Sequence, residues 1–211
     1  MDKEVVICCD IDDTLWDLLF YWIKYNNYLH NCGDTRYQLL DEDLNNYDTW
    51  NMSDKFSNKT YKQNFFNLLS SADMWATIQV DPNRIKTLEK LNNDKRIKLY
   101  IVTAMKVNNY AKLQRFKQLF PFIDDNQIIV CYDKWLLCSD IWIDDKAETL
   151  EKCKQYGEVI KINKSHNKTV GMCYLSIDDF SELYSNKKFE RLIEKLYKEK
   201  KAKWVKNMIC T

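Results

Sequence analysis

Three aspartates stand within four residues near the N-terminus, in the stretch 10–14 that reads DIDDT. The five residues before them are all apolar, which predicts a buried β-strand that ends directly at the acidic residues. In an open parallel sheet, ligands bind beyond the carboxyl ends of the strands. A turn or a helix cap accounts for one aspartate at such a place, but it accounts poorly for three. We therefore interpret Asp10 and Asp12 as candidates for chemistry on a bound ligand.

Polar residues also follow two later apolar runs. Thr103 and Ala104 come after the run 97–102, where a hydroxyl group and free backbone N–H groups can bind an anion. For Thr103 alone, a helix N-cap is the alternative interpretation. Asp144 and Asp145 follow a further apolar strand, and adjacent carboxylates at such a position indicate a site for a hard cation such as Mg²⁺. Lys134 precedes that strand, and considered alone it is interpreted as a surface lysine.

The elements that position these residues alternate along the chain. Five apolar runs predict buried parallel strands, at 5–9, 97–102, 127–131, 140–144 and 159–162. Apolar residues at helical spacing lie between them, at 82–92, 107–120 and 147–156. Asp81 is the predicted N-cap of the first of these helices, with Pro82 at its first position. This alternation predicts an α/β fold, a parallel sheet with helices on both faces.

The first two predicted strands are separated by far more chain than a crossover needs. Residues 17–75 contain many aromatic residues in helical patterns and no convincing strand. Since a dozen or so residues are enough for a crossover connection, we expect the surplus to form a separate helical lobe. The sequence thus predicts a core formed by 1–16 and 76–211, with a lobe over 17–75 inserted after the first strand.

The composition is that of a globular protein with a well-solvated surface. The chain has 211 residues, 45% of them hydrophobic and 30% charged, and a formal net charge of +1. This charge gives no global field that favours nucleic acid or acidic partners. No apolar run reaches the roughly 20 residues that cross a bilayer, and the N-terminus lacks the features of a signal peptide. Eight cysteines occur without a CxxC pair. We therefore expect a cytoplasmic protein with free thiols and no membrane association.

The C-terminal segment is the local exception to this balance of charge. Apolar residues of 186–210 fall on one helical face, and a lysine-rich run follows at 198–203. We interpret this run as the solvated end of a helix. The alternative is a basic patch for nucleic acid, which would matter if the substrate were the end of a polynucleotide.

Taken in order, these pieces resemble the four motifs of the haloacid-dehalogenase phosphatase superfamily. Asp-x-Asp-x-Thr, a later Thr, a Lys and then Asp-Asp occur here in that superfamily's order. The helical insertion after the first strand is similar to its cap domain. The resemblance implies a Rossmann-like sheet with strand order 3-2-1-4-5 and a Mg²⁺ cofactor.

Within that superfamily, the chain resembles the 5′(3′)-deoxyribonucleotidases. Lys134 precedes Asp145 by the eleven residues that separate the corresponding pair in that family. The stretches 15–17, 64–66 and 176–180 are similar to its LAD, NFF and WDD segments. The family usually has Gly-Val where this chain has Asp13 and Thr14. The family tends to dimerise, so the resemblance raises a homodimer as an alternative to a monomer, although no patch in the sequence indicates one.

The resemblance also implies roles for individual residues. Asp10 is the expected nucleophile and Asp12 the expected general acid and base. Thr103, Ala104 and Lys134 are expected to bind the phosphoryl group. The metal ligands are expected to be Asp10, Asp12 through its backbone carbonyl, and Asp145, with Asp144 as the rival of Asp145. Substrate-binding candidates in the inserted lobe are as follows: Leu18, Trp50 and Tyr61.

The expected substrate is a small phosphomonoester, a deoxynucleoside monophosphate above others. Two alternatives stay open. One is a phosphatase of the same superfamily that acts on a sugar phosphate or on a nucleic-acid 3′-phosphate. The other is a catalytically silent protein that keeps the fold and uses the lobe as an interaction surface.

Overall fold

The computed structural model describes residues 4–48, 52–105, 110–168, 171 and 173–209. Its centre is a six-stranded sheet with the order β3-β2-β1-β4-β5-β6, in which every neighbouring pair is parallel. The strands are β1 Val5–Cys9, β2 Ile97–Thr103, β3 Ile128–Val130, β4 Ile141–Asp144, β5 Glu158–Ile162 and β6 Leu175–Ile177. The predicted α/β fold and strand order are confirmed, and β6 extends the sheet by one strand that the sequence analysis did not predict.

Seven α-helices complete the described fold. They are α1 Leu18–Asn31, α2 Lys59–Asn67, α3 Ala72–Thr77, α4 Pro82–Asn93, α5 Tyr110–Leu119, α6 Ala147–Cys153 and α7 Lys187–Ile209. The predicted cap of α4 is confirmed, because the Asp81 side chain accepts a hydrogen bond from the Asn83 backbone and Pro82 occupies the first turn. Residues 107–109 of the predicted helix 107–120, which corresponds to α5, lie outside the described residues.

The central strand β1 is buried because it has a hydrogen-bonded neighbour on each side and helices over its faces. Its residues pair in register with β2 and β4, so Cys9 stands opposite Ile101 on one side and Ile143 on the other. All three side chains are fully buried. This register brings the C-terminal ends of β1, β2 and β4 to one edge of the sheet.

The inserted lobe over 17–75 contains α1, α2, part of α3 and short 3₁₀ turns, with no strand among its described residues. Its aromatic residues pack mainly against one another: the Trp22 and Phe65 rings are stacked with centroids 4.1 Å apart, and Trp22 Nε1 donates to the Phe65 carbonyl. Trp22 and Phe65 belong to the same hydrophobic cluster as the buried residues of the sheet, such as Ile7 and Ile101. The division of the chain into a core and a cap stays a prediction.

Two further predictions concern the chain as a whole. Within the described residues, no helix combines the length and apolar character that a membrane span requires. The cytoplasmic location expected from the sequence stays a prediction.

In the C-terminal helix α7, Lys198 pairs with Glu194 at 2.8 Å and Lys200 with Asp140 at 2.5 Å. The exposed Lys198 pair fits the interpretation of a solvated helix end, whereas the half-buried Lys200 pair joins α7 to the residue that precedes β4.

Candidate active site

Asp10 and Lys134 form the buried ion pair at the centre of the sheet edge. Lys134 begins a short 3₁₀ helix before β4, and its Nζ lies 2.6 Å from Asp10 and 2.8 Å from Asp144. All three side chains are less than a tenth exposed. Burial alone lowers the pKa of Lys134, but the two carboxylates outweigh it and raise that pKa above its ordinary value. The Lys134 ammonium is therefore charged at neutral pH.

Three carboxylates converge beside this lysine. One oxygen from each of Asp10, Asp144 and Asp145 lies within 4.8 Å of the other two. Burial raises the pKa of Asp10 well above its usual range, although Lys134 opposes it, and burial also raises the pKa of Asp144. Buried like charges need a counter-charge, and oxygen donors are the ligands that Mg²⁺ prefers. The donor set at this edge therefore fits Mg²⁺.

Asp144 and Asp145 have different partners, although they are adjacent. Asp144 is fully buried, with one carboxylate oxygen accepting from Lys134 and the other from the Lys146 backbone N–H at 2.7 Å. Asp145 lines the adjoining cavity. This difference supports Asp145 as the metal ligand and Asp144 as the group that orients Lys134.

Asp145 is itself held in place from three directions. The Thr14 hydroxyl donates to its Oδ1 at 3.2 Å, and His166 Nε2 lies 2.7 Å from its Oδ2. Asn167, on the same 3₁₀ turn as His166, donates its side-chain amide to the Asp145 carbonyl at 2.6 Å. Such partners fix the orientation of a metal ligand. No pattern in the sequence predicted that His166 contacts Asp145.

Asp12 is held by two donors. Trp16 Nε1 donates to its Oδ1 at 2.9 Å, and the Lys112 ammonium donates to its Oδ2. The same ammonium donates to the Thr103 hydroxyl at 2.7 Å, so Lys112 joins the ends of β1 and β2. Lys112 is another residue that the sequence analysis did not predict.

Asp13 occupies a strained position beside these groups. Its φ of 50° lies in the left-handed region, which Asp tolerates better than most residues and which glycine adopts freely. Its Oδ1 accepts from the Leu19 backbone, while its buried Oδ2 has no hydrogen-bond partner among the described residues. Burial raises the pKa of the Asp13 carboxyl well above its usual range, and the nearby Asp145 adds to this shift.

A cavity of about 660 Å³ opens onto the sheet edge. One side, the core wall, is lined by residues that follow the strands or lie on α5 and α6. The functional groups of this wall are Asp10, Asp12, Ala104, Lys112, Lys134 and Asp145. The other side, the cap wall, comes mainly from the inserted lobe. Its members are Leu18, Trp22, Gln63, Phe66, Asn67, Leu69, Ser70 and Trp75.

The predicted site residues reach this cavity to different degrees. Leu18 lines it, whereas Tyr61 is not among its lining residues. Trp50 lies outside the described residues. Thr103 is fully buried and meets the site through its bond to Lys112.

Comparison with known proteins identifies the family. A family profile described as "5' nucleotidase, deoxy (Pyrimidine), cytosolic type C protein" matches residues 4–188. The chain belongs to this nucleotidase family. Membership makes it a phosphomonoester hydrolase, so the alternative of a catalytically silent protein is set aside.

Individual relatives of this nucleotidase agree with the family match. A 5′(3′)-deoxyribonucleotidase of Clostridium acetobutylicum is 30% identical over 160 residues, which cover 76% of this chain and 82% of the relative. A 5′(3′)-deoxyribonucleotidase of Bacillus subtilis is 27% identical over 168 residues, with coverages of 77% and 87%. The resemblance found in the sequence is confirmed.

Solved structures show the same fold at lower identity. The haloacid-dehalogenase hydrolase of family IA, variant 3, from Entamoeba histolytica superposes on the nucleotidase with a TM-score of 0.55 at 20% identity. The match covers 90% of this chain and 99% of that one. The haloacid-dehalogenase fold predicted from the motifs is thus confirmed.

Proposed function

We propose that the protein is a Mg²⁺-dependent phosphatase of deoxynucleoside monophosphates that works through an aspartyl-phosphate on Asp10. The observation that carries this proposal is the position of the Asp10–Lys134 ion pair, which faces a cavity whose opposite wall is mainly aromatic and apolar. A volume of about 660 Å³ lies in the range of small-molecule sites. One wall suits a phosphoryl group, and the other suits a flat, partly apolar base.

The first half of the proposed reaction transfers the phosphoryl group to the protein. An Asp10 carboxylate oxygen attacks phosphorus, the bond from phosphorus to the ester oxygen breaks, and Asp12 donates a proton to that leaving oxygen. Lys134 is oriented by Asp144 at 2.8 Å and binds a phosphoryl oxygen. The Thr103 hydroxyl and the Ala104 N–H bind the remaining phosphoryl oxygens.

The second half regenerates the enzyme. Asp12 accepts a proton from a water molecule, the water oxygen attacks phosphorus, and the bond to Asp10 breaks to release inorganic phosphate. The Asp12 carboxylate is suited to this exchange because Trp16 and Lys112 hold it just beyond the C-terminal end of β1. The same carboxylate can therefore serve both half-reactions without a change of position.

The proposed Mg²⁺ ligands are Asp10, the Asp12 backbone carbonyl and Asp145. When bound, Mg²⁺ supplies positive charge that offsets the repulsion between the phosphoryl oxygens and the attacking carboxylate. Thr14 and His166 hold Asp145 in orientation for this purpose. The likeness to the two deoxyribonucleotidases supports the choice of substrate.

Phosphate release from a panel of monoesters tests this proposal. The panel contains deoxy- and ribonucleoside 5′- and 3′-monophosphates, sugar phosphates and 3′-phosphorylated oligonucleotides, each with Mg²⁺ and with excess chelator. We expect the highest kcat/KM with deoxynucleoside monophosphates and no turnover with chelator. Preference for a sugar phosphate or an oligonucleotide would contradict the substrate, and full activity in chelator would contradict the metal.

A further inference from the structure

The core wall contains a second buried lysine besides Lys134. Lys112 lies on the first turn of α5, and it is only 2% exposed although it lines the cavity. Its ammonium donates to the carboxylate of Asp12 and to the hydroxyl of Thr103. It also lies 5.7 Å from the centre of the Trp75 ring. The helix α5 follows β2 along the chain, and its Lys112 places a positive charge at the edge where β1 and β2 end.

Burial of a lysine is costly unless charged or polar partners compensate for the lost hydration. The buried Lys112 is therefore compensated by its polar partners, and it supplies positive charge at their position. Its two partners are Asp12, the proposed general acid and base, and the hydroxyl of Thr103, which is proposed to bind the phosphoryl group. The Lys112 ammonium therefore lies between the group that transfers the proton and a group that binds the phosphoryl oxygens.

The charges of the site explain why one lysine is not enough. Four carboxylates line or underlie the core wall: Asp10, Asp12, Asp144 and Asp145. Lys134 is already shared between Asp10 and Asp144. A phosphomonoester brings nearly two further negative charges at neutral pH. Even with a divalent cation bound, the negative charge of the four carboxylates and the substrate would exceed the combined positive charge of the cation and Lys134.

We propose that Lys112 is a second phosphoryl-binding lysine of this site. It keeps its contact with Asp12 and donates a second N–H to the phosphoryl oxygen that the Thr103 hydroxyl also binds. An ammonium has three donors, so both contacts can be made at once. This inference rests on the proposed function, because it takes the core wall to be the place where the phosphoryl group binds.

The binding of inorganic phosphate tests the role directly. We would titrate the protein with phosphate in the presence of Mg²⁺ and follow the ³¹P NMR signal, which needs no turnover. Loss of a charged hydrogen bond in Lys112→Gln should weaken phosphate binding about 10- to 100-fold. Lys117→Gln, on the same helix but paired with Asp125 at the surface, is the matched control and should bind within about twofold of the wild type. Phosphate affinity unchanged in Lys112→Gln would overturn the proposal.

A second background separates contact with phosphate from mere support of Asp12. In Asp12→Ala no side-chain acceptor remains at this position, so a lysine that acted only through Asp12 would have nothing left to position. We expect Lys112→Gln to weaken phosphate binding in that background too, and the absence of any further loss there would overturn the proposal. Lys112→Met keeps most of the side-chain volume beside Trp75 and should show the same loss, with circular dichroism verifying the fold of each variant.

The outcome is distinguishable from failure of the proposed function. If the wild type binds phosphate through Lys112 but releases none from deoxynucleotides, the substrate assignment fails and the role of Lys112 stands. If the wild type turns over deoxynucleotides while Lys112→Gln binds phosphate like the wild type, the substrate assignment stands and the role of Lys112 fails.

Discussion

The two walls of the cavity are built in different ways. The core wall consists of charged side chains at strand ends, and Asp10, Lys112, Lys134 and Asp145 are all less than a tenth exposed. The cap wall combines aromatic and leucine side chains with three polar ones, and these polar members, Gln63, Asn67 and Ser70, are exposed. The charged groups of the core wall are bonded to groups elsewhere in the chain, as Asp10 is to Lys134 and Asp12 to Lys112. The Gln63 amide, by contrast, donates to Asn67 one turn further along the same helix, α2, at 2.9 Å.

This contrast leads us to assign the chemical step to the core wall and the choice of substrate to the cap wall. A rigid network of buried charges suits bond breaking, because donors and acceptors aimed in advance need no reorganisation during the reaction. An exposed helical surface can change its side chains without disturbing the sheet. We therefore expect substitutions in the core wall to lower or abolish turnover, and substitutions in the cap wall to change which ester is preferred.

The largest expected effect comes from the nucleophile. Asp10→Asn should lower kcat by about 10⁴-fold or more, because the amide cannot form the aspartyl-phosphate. The fold should persist, since the amide is neutral and of similar size in a buried position. Asp73→Asn, at an exposed position on α3, is the matched control. Steady-state kinetics with thermal unfolding would check both, and retention of full activity would remove Asp10 from its role.

Within the core wall, a sharper test distinguishes the two adjacent aspartates. Asp145→Asn should raise the Mg²⁺ concentration for half-maximal activity about 10- to 100-fold, because it removes a proposed ligand. Asp144→Asn should lower kcat through the loss of its bond to Lys134 while leaving that Mg²⁺ concentration nearly unchanged. Activity measured over a Mg²⁺ series decides between them, and the opposite pattern would make Asp144 the ligand.

A cap-wall substitution should have a smaller and different effect. Phe66→Ala should raise KM for a deoxynucleotide about 10-fold by removing apolar surface beside the base, with little change in kcat. Turnover of methyl phosphate, which has no base, should be unaffected. Phe20→Ala, an aromatic of α1 that is not among the cavity-lining residues, is the control. An equal loss with both substrates would mean that Phe66 supports the core wall instead.

The smallest expected effect concerns the junction between the two regions. Arg84 of α4 is paired with Asp17, which precedes the inserted helix α1, at 2.9 Å and with Asp179 at 2.5 Å. Burial raises the pKa of both carboxyls, but this effect is outweighed by Lys164 and Arg84 at Asp17 and by Arg84 and Ser181 at Asp179, so both pKa values lie below their ordinary range. A depressed pKa gives stability that is present above the unfolded-state pKa near 4 and is lost as pH falls through the lower folded-state value.

Arg84→Met should therefore lower Tm by about 2–6 °C at pH 7. The difference from the wild type should shrink between about pH 4 and pH 2, as both aspartates become protonated. Thermal unfolding across this pH range measures it. A difference that stays constant down to pH 2 would show that packing, and not ion pairing, holds the junction.

The sequence allowed prediction of those residues of the site that follow buried apolar strands. Such strands are recognisable from their composition, and parallel strands bring their carboxyl ends together, so Asp10, Thr103 and Asp145 could be assigned to one edge in advance. The strand β6 escaped prediction because it has only three residues, with the exposed Ser176 between Leu175 and Ile177.

Lys112 and His166 could not be predicted in the same way. Lys112 stands on an amphipathic helix, where a lysine ordinarily faces solvent, and only the packing of α5 brings its ammonium to Asp12. His166 follows β5 on a 3₁₀ turn, with no metal-ligand spacing to mark it. The cap wall was harder still, because aromatics in a helical lobe serve as its core as readily as they line a cavity: Phe65 is buried within the lobe while its neighbour Phe66 lines the cavity.

The most direct test of the whole account is the detection of the covalent intermediate. The protein would be mixed with a deoxynucleoside monophosphate and Mg²⁺, quenched in acid within milliseconds, reduced with borohydride and digested for mass spectrometry. We predict that the reduction converts Asp10, and no other residue, to homoserine, and that this conversion requires both substrate and Mg²⁺. Rapid turnover with unmodified Asp10, or with the modification at another residue, would contradict it.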